Sequence, residues 1–546
     1  MREQVREWAV RHWPSLVAFV VAVLIVALMP AESRNDSHWW RMVLAGAGAV
    51  AVAVRVMVER AAPHLLRFVH AGLLAVAVFG VGNYWQFDRT VFTGIGEVTD
   101  TTYYYLNSKY LAELDYFGLY PAMLLADMEH KQRHAPTIKQ YRDLRDYEVK
   151  PVSVAMEHGR ELKATRFTPE RWEQFTRDSD WFMRRLSNVA ARTNFFVDHG
   201  YNPPPTWTLV GGTLAEVTPV RHVHWITQVD TLLVAMMFAG VAWAFGWEVM
   251  LWGVLFYVVT FSGRWPILGQ SITRFDWLAM LVLSVCFWKK KRPGTAGAMM
   301  AYAALNRVFP AIFFASWFFT LVADVWRERR VPRAHARFIG GAGAVSVVML
   351  GGALALYGPD TFATSGKNLW MHNQTYSSHR VGLGDVIVYR GETTRKQINA
   401  NGGIAPKEKK IQGMQTALRL VGLLALGLVA LTVVRTRLPV HETVHLAVLP
   451  FFCMTNPQIN YYNLRLLLIL WHGAHVRRPE HQVGLAWLLA LEMVVQWTKV
   501  IQWDRYTTTT TTSIGILVYM LGLVAWMVHR SLEGEGKRST KPAVAA

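Results

Sequence analysis

The sequence predicts an all-α protein that crosses a membrane many times. Of its 546 residues, 52% are apolar and 17% are charged, whereas soluble domains usually carry about 25% charged residues. The apolar residues are gathered into blocks, and several blocks approach the ~20 residues with which a helix crosses a hydrocarbon layer of about 30 Å. Basic residues are gathered between the blocks. These observations predict a polytopic bundle of about 11–13 transmembrane helices.

The apolar blocks occur along the whole chain and are interrupted by one long polar segment in its first half. Each block is taken as the centre of a helix that crosses the membrane wholly or in part. The blocks cover residues 16–29, 43–58, 71–85, 233–243, 277–288, 338–357, 418–434, 445–454, 464–471, 483–497 and 513–528.

The basic segments between the blocks predict the orientation of the chain. By the positive-inside rule these segments lie in the cytoplasm, and this explains the net charge of +19 without a nucleic-acid partner. The segments are 289–292, 327–330, 435–437, 477–478 and 537–538. With them inside, residues 88–205, 358–413 and 456–463 share the non-cytoplasmic face.

The resulting map has six regions and fits a multi-pass protein of the cell membrane, that is, an inner or plasma membrane. The regions are N-terminal transmembrane helices at 1–87, a large non-cytoplasmic loop with amphipathic helices at 88–205, a central transmembrane bundle at 206–357, a second non-cytoplasmic loop at 358–413, C-terminal transmembrane helices at 414–530 and a basic cytoplasmic tail at 531–546.

Short or broken helices are predicted in the central bundle. Residues 206–218 span only about 20 Å as a helix, so we expect that they do not cross fully. Residues 295–326 have basic segments at both ends and are best explained as two short helices that meet near 306–310. Such helices are tolerated in a membrane only where they are buried in protein or line a cavity.

The large loop contains an amphipathic helix. Thr168 and Pro169 form a helix start, with the threonine as cap and the proline at the first helical position. Beyond them Trp172, Phe175 and Phe182, with Leu186, fall on one face. The pattern suits a helix that lies on the membrane surface. A small subdomain that packs on itself is the alternative.

Asp100 is the candidate general base. It follows the third apolar block and precedes a helical run, so one interpretation is a helix cap. The other is a carboxylate at the mouth of a membrane cavity, where it would take a proton from a reacting hydroxyl. Tyr103 and Tyr104 follow closely and are candidates for packing against a sugar.

Several cations are candidates for binding an anion. Arg307 lies in an apolar run, where a charge is costly and usually faces a cavity or a partner; pairing with an acidic group is the structural alternative. Arg264 and Arg274 flank a predicted outer segment, or simply mark its boundary. The second loop adds His372, His379 and Arg380. The histidines lack metal-ligand spacing, so no metal site is predicted.

With these elements in place, the chain resembles the GT-C superfamily of integral membrane glycosyltransferases, and most closely its polyprenyl-phosphate-mannose-dependent mannosyltransferase branch. The resemblance is an ordered set of short motifs over roughly residues 85–470. In order they are Asp100 with Tyr103, Tyr104 and 115–120; Tyr201-Asn202-Pro203-Pro204; Gly269-Gln270; Lys291-Arg292-Pro293 with Ala296-Gly297; Arg307-Val308-Phe309-Pro310; and Asn373-Gln374-Thr375, which is also a glycosylation sequon.

The chain departs from the family pattern in two motifs. The family has lysine where this chain has Arg307, which keeps the charge. The family's late Ser-Pro and His-His element appears here as Asn456-Pro457 followed by Tyr461 and Tyr462. Other cations must then hold the donor phosphate, and the candidates are His372, His379, Arg380 and Arg465. Two additional N-terminal helices before the catalytic loop have no explanation in the resemblance.

The resemblance implies transfer of a mannose-like hexose from a polyprenyl-phosphate donor to a hydroxyl of a glycan or lipid acceptor. It implies an inverting reaction on the non-cytoplasmic face, with no cofactor and no metal. Asp100 would be the catalytic base. Two other classes remain open: a polytopic transporter or flippase, and a ligase that moves a lipid-linked glycan. The donor phosphate would meet Arg307, Arg264, Arg274, His372, His379 and Arg380, and the substrates would meet Tyr103, Tyr104, Gln270, Asn373, Gln374, Tyr461 and Tyr462.

Overall fold

The computed structural model of the protein describes residues 2–130, 134–186, 188–265, 271–374 and 377–533; the side chains of 2–11 and 373–374 are not described. The described chain is almost entirely helical, which confirms the predicted all-α class. The N-terminal region holds α1 (Arg2–Leu28), α2 (Arg34–Ala61) and α3 (Leu66–Tyr84). Short turns connect these helices, and α1 and α3 pack side by side.

The large loop at 88–205 contains short helices and one hairpin. In chain order these are α4 (Val98–Thr102), a π-helical turn (Tyr103–Asn107), α5 (Leu111–Leu114), α6 (Leu119–His130), β1 (Gln140–Asp143), β2 (Glu148–Pro151), α7 (Val152–Arg166), α8 (Pro169–Met183) and α9 (Val189–Phe196). The antiparallel hairpin pairs Gln140 with Pro151 and was not predicted. Its turn is stabilised by Asp143, which accepts hydrogen bonds from Arg145 and Lys150.

The central and C-terminal regions form the rest of the helical bundle. The central helices are α10 (Pro205–Val217), α11 (Val223–Phe245), α12 (Trp247–Val259), α13 (Asp276–Lys289), α14 (Pro293–Asn306), α15 (Phe313–Glu328) and α16 (Arg333–Gln374). They are followed by α17 (Leu383–Val388), α18 (Arg395–Ala400), α19 (Ala405–Thr436), α20 (Val440–Thr443), α21 (Val448–Met454), α22 (Leu466–Ala474), α23 (Pro479–Val500) and α24 (Arg505–Glu533).

Among the described residues, eight helices are long and apolar enough to cross a membrane. The prediction of a polytopic membrane protein is therefore confirmed. Three shorter apolar helices accompany them, at His12–Leu28, Trp247–Val259 and Val440–Met454. The predicted number of about 11–13 spans is reached only when short helices such as these are counted as crossings. The predicted cytoplasmic tail lies outside the described residues beyond Glu533.

The amphipathic helix of the large loop is confirmed, but its placement differs from the favoured prediction. The side chain of Thr168 accepts a hydrogen bond from the Arg171 amide at 3.2 Å and caps α8. Trp172, Phe175 and Phe182 are buried in a core formed mainly by the loop, with contributions from α10 and α11. The apolar face thus packs on protein, as the alternative of a self-packing subdomain expects. A helix bound to the lipid surface would leave that face exposed.

The predicted break in the central bundle is also confirmed. Helix α14 ends at Asn306, and Arg307 has extended backbone geometry. A 3₁₀ turn at Phe309–Ile312 then leads into α15. Pro310 explains the break, because it lacks an amide hydrogen and cannot continue the helical bonding. Helix α10, with 13 residues, is as short as predicted.

Helix α16 extends past the predicted start of the second loop. The expected boundary at 357 and 358 coincides with a break at Gly358, where φ is 74°, followed by Pro359. Helical structure resumes and continues to Gln374, so the first part of the predicted loop is helical. Composition at 358–374 is more polar than in the preceding block, so the sequence predicts a loop there, whereas the structure continues the helix.

Close packing of α14 against α16 depends on two glycines. A methyl group at Gly297 would collide with the Phe338 carbonyl, and one at Gly341 with the Gly294 carbonyl. Small residues let helix backbones approach in a membrane, where packing drives association. Gly297 belongs to the family-like Ala-Gly motif, and its structural role here is to seat the helix that ends at Arg307.

Replacing Gly297 by alanine is therefore expected to destabilise the protein, by about 1–3 kcal/mol if the helices separate only slightly. The measurement is the thermal unfolding midpoint of purified protein in detergent. Gly340→Ala is the matched control, because a methyl group there meets no atom within 4 Å. Equal midpoints for the two variants would contradict this explanation of the contact.

Candidate active site

A cavity of about 860 Å³ lies where the large loop meets the broken helices. Its wall is formed by the start of the large loop, the segment before α10, the break after α14, the later part of α16, the first half of α19 and the segment after α21. The cavity brings together most of the predicted site residues that the structure describes. Those that line it are Asp100, Tyr103, Tyr104, Arg274, Arg307, His372, Arg380 and Tyr461.

Asp100 faces this cavity and is not a helix cap. The cap of α4 is Glu97, whose carboxylate accepts a hydrogen bond from the Thr99 amide at 3.1 Å. Asp100 lies in the first turn of α4, and its side chain is 24% exposed. The π-helical turn follows directly, and such turns are frequent at functional sites. The carboxylate is therefore available to the contents of the cavity.

Arg274 is the ionic partner of Asp100. A guanidinium nitrogen of Arg274 pairs with Asp100 Oδ2. Asp230 of α11 fixes the backbone around Arg274. The Asp230 carboxylate accepts hydrogen bonds from the amides of Arg274 and Phe275, each at 2.9 Å. A buried carboxylate thus holds the cation that positions Asp100.

Arg307 lies at the break between α14 and α15 and is 7% exposed. Its guanidinium donates to the Asn306 carbonyl at 3.2 Å, and Asn306 in turn donates to Asp276 at 2.9 Å. Among the described residues no carboxylate lies within 4 Å of the guanidinium, so the predicted alternative of an ion pair is not found there. A buried cation without an acidic partner is a candidate for holding an anion.

Arg274 and Arg307 both lie near the ring of Tyr104. The guanidinium carbon of Arg274 is 6.0 Å from the centre of its ring, and that of Arg307 is 5.9 Å from it. Both charges therefore lie in the same part of the cavity. Tyr103 is mostly occupied by the core of the loop, since its hydroxyl contacts the Tyr120 hydroxyl at 2.8 Å and the Phe195 carbonyl at 3.0 Å.

Arg380 and His372 belong to the second loop and line the cavity together with the large first loop. The Arg380 guanidinium donates to the carbonyl of Asn456 at 2.9 Å and to that of His372 at 3.1 Å. These bonds tie the second loop to the segment after α21, which carries Asn456-Pro457 and Tyr461. Tyr461 of that segment also lines the cavity and packs against Phe309, with ring centres 4.8 Å apart.

Other predicted site residues lie elsewhere. Arg264 and His379 do not line the cavity, and Arg465 is engaged in a buried ion pair with Glu492 at 2.6 Å. Tyr462 points into the bundle core and packs against a phenylalanine of α21. The reason is helical geometry, because adjacent residues such as 461 and 462 face different directions. Gln270 and the side chains of Asn373 and Gln374 lie outside the described residues.

Sequence reasoning missed several residues of the cavity wall. Asp198 is a second carboxylate there. Desolvation would raise its pKa, but the neighbouring His199, whose ring Nδ1 lies 3.6 Å from a carboxylate oxygen, lowers the pKa of Asp198 below its usual range. The signal was its position three residues before Tyr201, the first residue of the Tyr-x-Pro-Pro motif. Glu408 and Arg419 of α19 also line the cavity, and Arg419 was hidden at the edge of an apolar block.

The cavity borders an exposed apolar surface of the bundle. Helix α16 packs on α14 and α10, whereas α19 packs on α21, α24 and α15. Both helices nevertheless line the cavity, and both carry exposed apolar side chains next to it, for example Trp370 and Leu420. The wall between α16 and α19 is therefore the part of the cavity that adjoins exposed apolar side chains of the bundle.

Within the described part of the chain, no group of three or more His, Cys, Asp or Glu side chains is arranged to hold a metal ion.

In comparisons with family models, with curated proteins and with solved structures, no match to this chain was found.

Proposed function

We propose that the protein is a membrane glycosyltransferase that moves a mannose-like hexose from a polyprenyl-phosphate donor to a hydroxyl of a glycan or lipid acceptor on the non-cytoplasmic face. The observation that carries the proposal is that a candidate base and a candidate phosphate-binding cation line the same cavity. A partly exposed carboxylate, Asp100, and the buried guanidinium of Arg307, which has no carboxylate of the described residues within 4 Å, both line it. The family resemblance of the motifs supports the same assignment.

The position of the cavity suits a lipid-linked donor. A polyprenyl chain requires an apolar path, and the wall between α16 and α19 supplies one beside the bilayer. The phosphate at the head of that chain requires cations inside, which Arg307 and Arg380 supply. Arg419, exposed on α19 at the cavity edge, is placed to meet the phosphate during entry.

The base and the cations have separate roles in the proposed reaction. The acceptor oxygen attacks the anomeric carbon, the bond from that carbon to the phosphate oxygen breaks, and its electron pair leaves with the polyprenyl phosphate. The acceptor proton passes to Asp100, a role that contributes about 10²–10⁴-fold. Charge develops on the leaving phosphate, and fixed guanidinium groups stabilise that charge in the transition state.

The ion pair of Asp100 and Arg274 couples these two events. While Asp100 is ionised, Arg274 neutralises it and holds it in place. When Asp100 takes the acceptor proton it loses its negative charge, and the Arg274 guanidinium becomes available to the phosphate that leaves at the same moment. One cation thus supports the base before transfer and the leaving group after it.

The test uses purified protein in phosphatidylcholine nanodiscs with a polyprenyl-phosphate sugar labelled in the sugar. We expect label to move from the lipid to a water-soluble glycan or to a second lipid when a mixture of acceptors is supplied. A flippase would move the donor across the bilayer with its bond intact, and a glycan ligase would require a pyrophosphate-linked donor. An intact donor with every acceptor, under conditions where the protein is folded, would overturn the proposal.

A further inference from the structure

A second group of cations lies at the same end of the bundle as Asp100 but outside the cavity. We call it the Arg264 cluster, and it consists of Arg34, Arg41, Arg264, Lys499 and Arg505. The members come from the start of α2, the segment after α12, the end of α23 and the start of α24. None of them lines the cavity described above. The charges of Arg505, Arg41 and Arg34 act on Arg264.

Contacts across the cluster confirm that these elements meet. The Arg264 guanidinium carbon lies 3.8 Å from the centre of the Phe261 ring, and this ring is 5.9 Å from that of His38 on α2. His38 contacts Gln496 of α23 at 2.7 Å. Arg505 bonds to the ring of His379, which brings the second loop to the same place.

The cluster lacks acidic partners at close range. Within the described residues, no carboxylate lies within 4 Å of any of the five cations. Their hydrogen bonds go instead to neutral acceptors: Arg264 to the Phe261 carbonyl at 2.8 Å, Lys499 to the Trp503 carbonyl at 3.0 Å, and Arg41 to the Tyr84 carbonyl at 3.3 Å. The acidic groups whose charges reach the cluster are Asp504, which acts on Lys499 and Arg505, and Glu97, on which Arg34 acts.

Burial makes this arrangement costly without a ligand. Arg264 is 3% exposed and Arg41 is 1% exposed. The Nε atom of Arg41 is buried and has no hydrogen-bond partner among the described residues. Buried charges are normally paired, because the desolvation of an unpaired charge is not repaid. The burial of the cluster is graded, because Arg34 is exposed and Lys499 and Arg505 are half-buried. An anion can therefore reach the cluster from the surface.

We propose that the Arg264 cluster binds a phosphate ester of the acceptor, separately from the donor phosphate at Arg307. The assignment of that phosphate to the acceptor rests on the proposed function. Glu97 caps the turn that carries Asp100, and the charge of Arg34 acts on Glu97. An acceptor whose hydroxyl meets Asp100 can place its own phosphate among these cations. The proposal also gives a role to the additional N-terminal helices, because α2 supplies Arg34 and Arg41.

The first test counts phosphate sites on the full chain in neutral detergent by equilibrium dialysis with radiolabelled inorganic phosphate. We expect two saturable sites in the wild type. Arg264→Gln and Arg505→Gln should each weaken one site by roughly 10- to 100-fold, since each removes a hydrogen bond to a charged group. Arg307→Gln should weaken the other site. Arg395→Gln, which removes an exposed arginine of α18, is the matched control and should retain both sites.

Thermal unfolding separates binding from a structural role. Without phosphate, Arg264→Gln should raise the unfolding midpoint or leave it unchanged, because it removes a buried charge that is repelled by its neighbours. Phosphate should raise the midpoint of the wild type at concentrations where Arg264→Gln no longer responds. A lower midpoint for Arg264→Gln together with unchanged phosphate binding would overturn the proposal.

Two further arms identify the source of the phosphate and separate this proposal from the function. In nanodiscs, phosphatidylglycerol but not phosphatidylcholine should displace labelled phosphate if the site takes a lipid phosphodiester. Retention of the label would identify a water-soluble phosphate ester. If the donor is never cleaved but Arg264→Gln still loses a phosphate site, the proposed function fails and the cluster stands. If the donor is cleaved and Arg264→Gln binds phosphate like the wild type, the cluster proposal fails alone.

Discussion

Asp100→Asn is expected to leave the protein folded and to reduce sugar transfer by about 10²–10⁴-fold, the usual contribution of a general base. The amide cannot take the acceptor proton at any ordinary pH, yet it has the size of the carboxylate and retains an oxygen that can accept a hydrogen bond from Arg274. The measurement is the initial rate of label transfer from polyprenyl-phosphate sugar, together with the affinity for the donor. We expect the rate to fall and the donor affinity to change little.

Asp360→Asn is the control for this prediction. Asp360 is an exposed carboxylate of α16 that does not line the cavity, so its loss should leave the rate unchanged. Transfer by Asp100→Asn at more than about a tenth of the wild-type rate would reject Asp100 as the base. Asp198 would then become the carboxylate to test, since it also lines the cavity.

Arg307→Gln should reduce transfer by about 10²–10³-fold, the loss that follows removal of one fixed group that stabilises charge in a transition state. The guanidinium is buried and no carboxylate of the described residues lies within 4 Å of it, but its charge acts on the buried carboxyls of Asp276 and Asp230. Removing it relieves its own desolvation and also loses that attraction, so the variant should remain folded with an unfolding midpoint close to that of the wild type. The kinetic loss should fall mainly on kcat if the charge develops in the transition state.

Arg307→Lys is the informative companion, because the family pattern has lysine at this position. It keeps the charge but loses the planar fork that binds two phosphate oxygens. We expect activity between that of the wild type and that of Arg307→Gln. Equal activity of the lysine and glutamine variants would show that the positive charge at this break in the helix is not what the reaction uses.

Local signals in the sequence predicted the local structure of the site correctly. Pro310 and the charge at Arg307 were sufficient to place the break in the central bundle, because both act on the helix that contains them. The cap at Thr168 likewise placed the start of α8. The burial of the α8 face was beyond such signals, since an amphipathic pattern is the same whether its partner is lipid or protein.

Contacts between distant segments explain what could not be predicted. Charge alone groups Arg264 and His379 with Arg307, but the packing of α2, α23 and α24 places Arg264 in a separate cluster, and His379 bonds to Arg505 of that cluster. The run 507–512 carries no periodic signal, yet Thr507 donates to the Glu392 carbonyl at 2.9 Å and Thr509 to the Ser378 carbonyl at 3.1 Å. These threonines join the last helix to the second loop, and composition alone does not indicate that partner.

The central claim is that Asp100 and Arg307 act on one bound donor. The most direct measurement is an electron cryo-microscopy structure of Asp100→Asn in a nanodisc with a polyprenyl-phosphate sugar, which the variant should bind without turnover. We expect the donor phosphate within hydrogen-bond distance of the Arg307 guanidinium, the polyprenyl chain between α16 and α19, and the sugar directed towards position 100. A donor phosphate bound without contact to Arg307, or a sugar directed away from position 100, would contradict the claim.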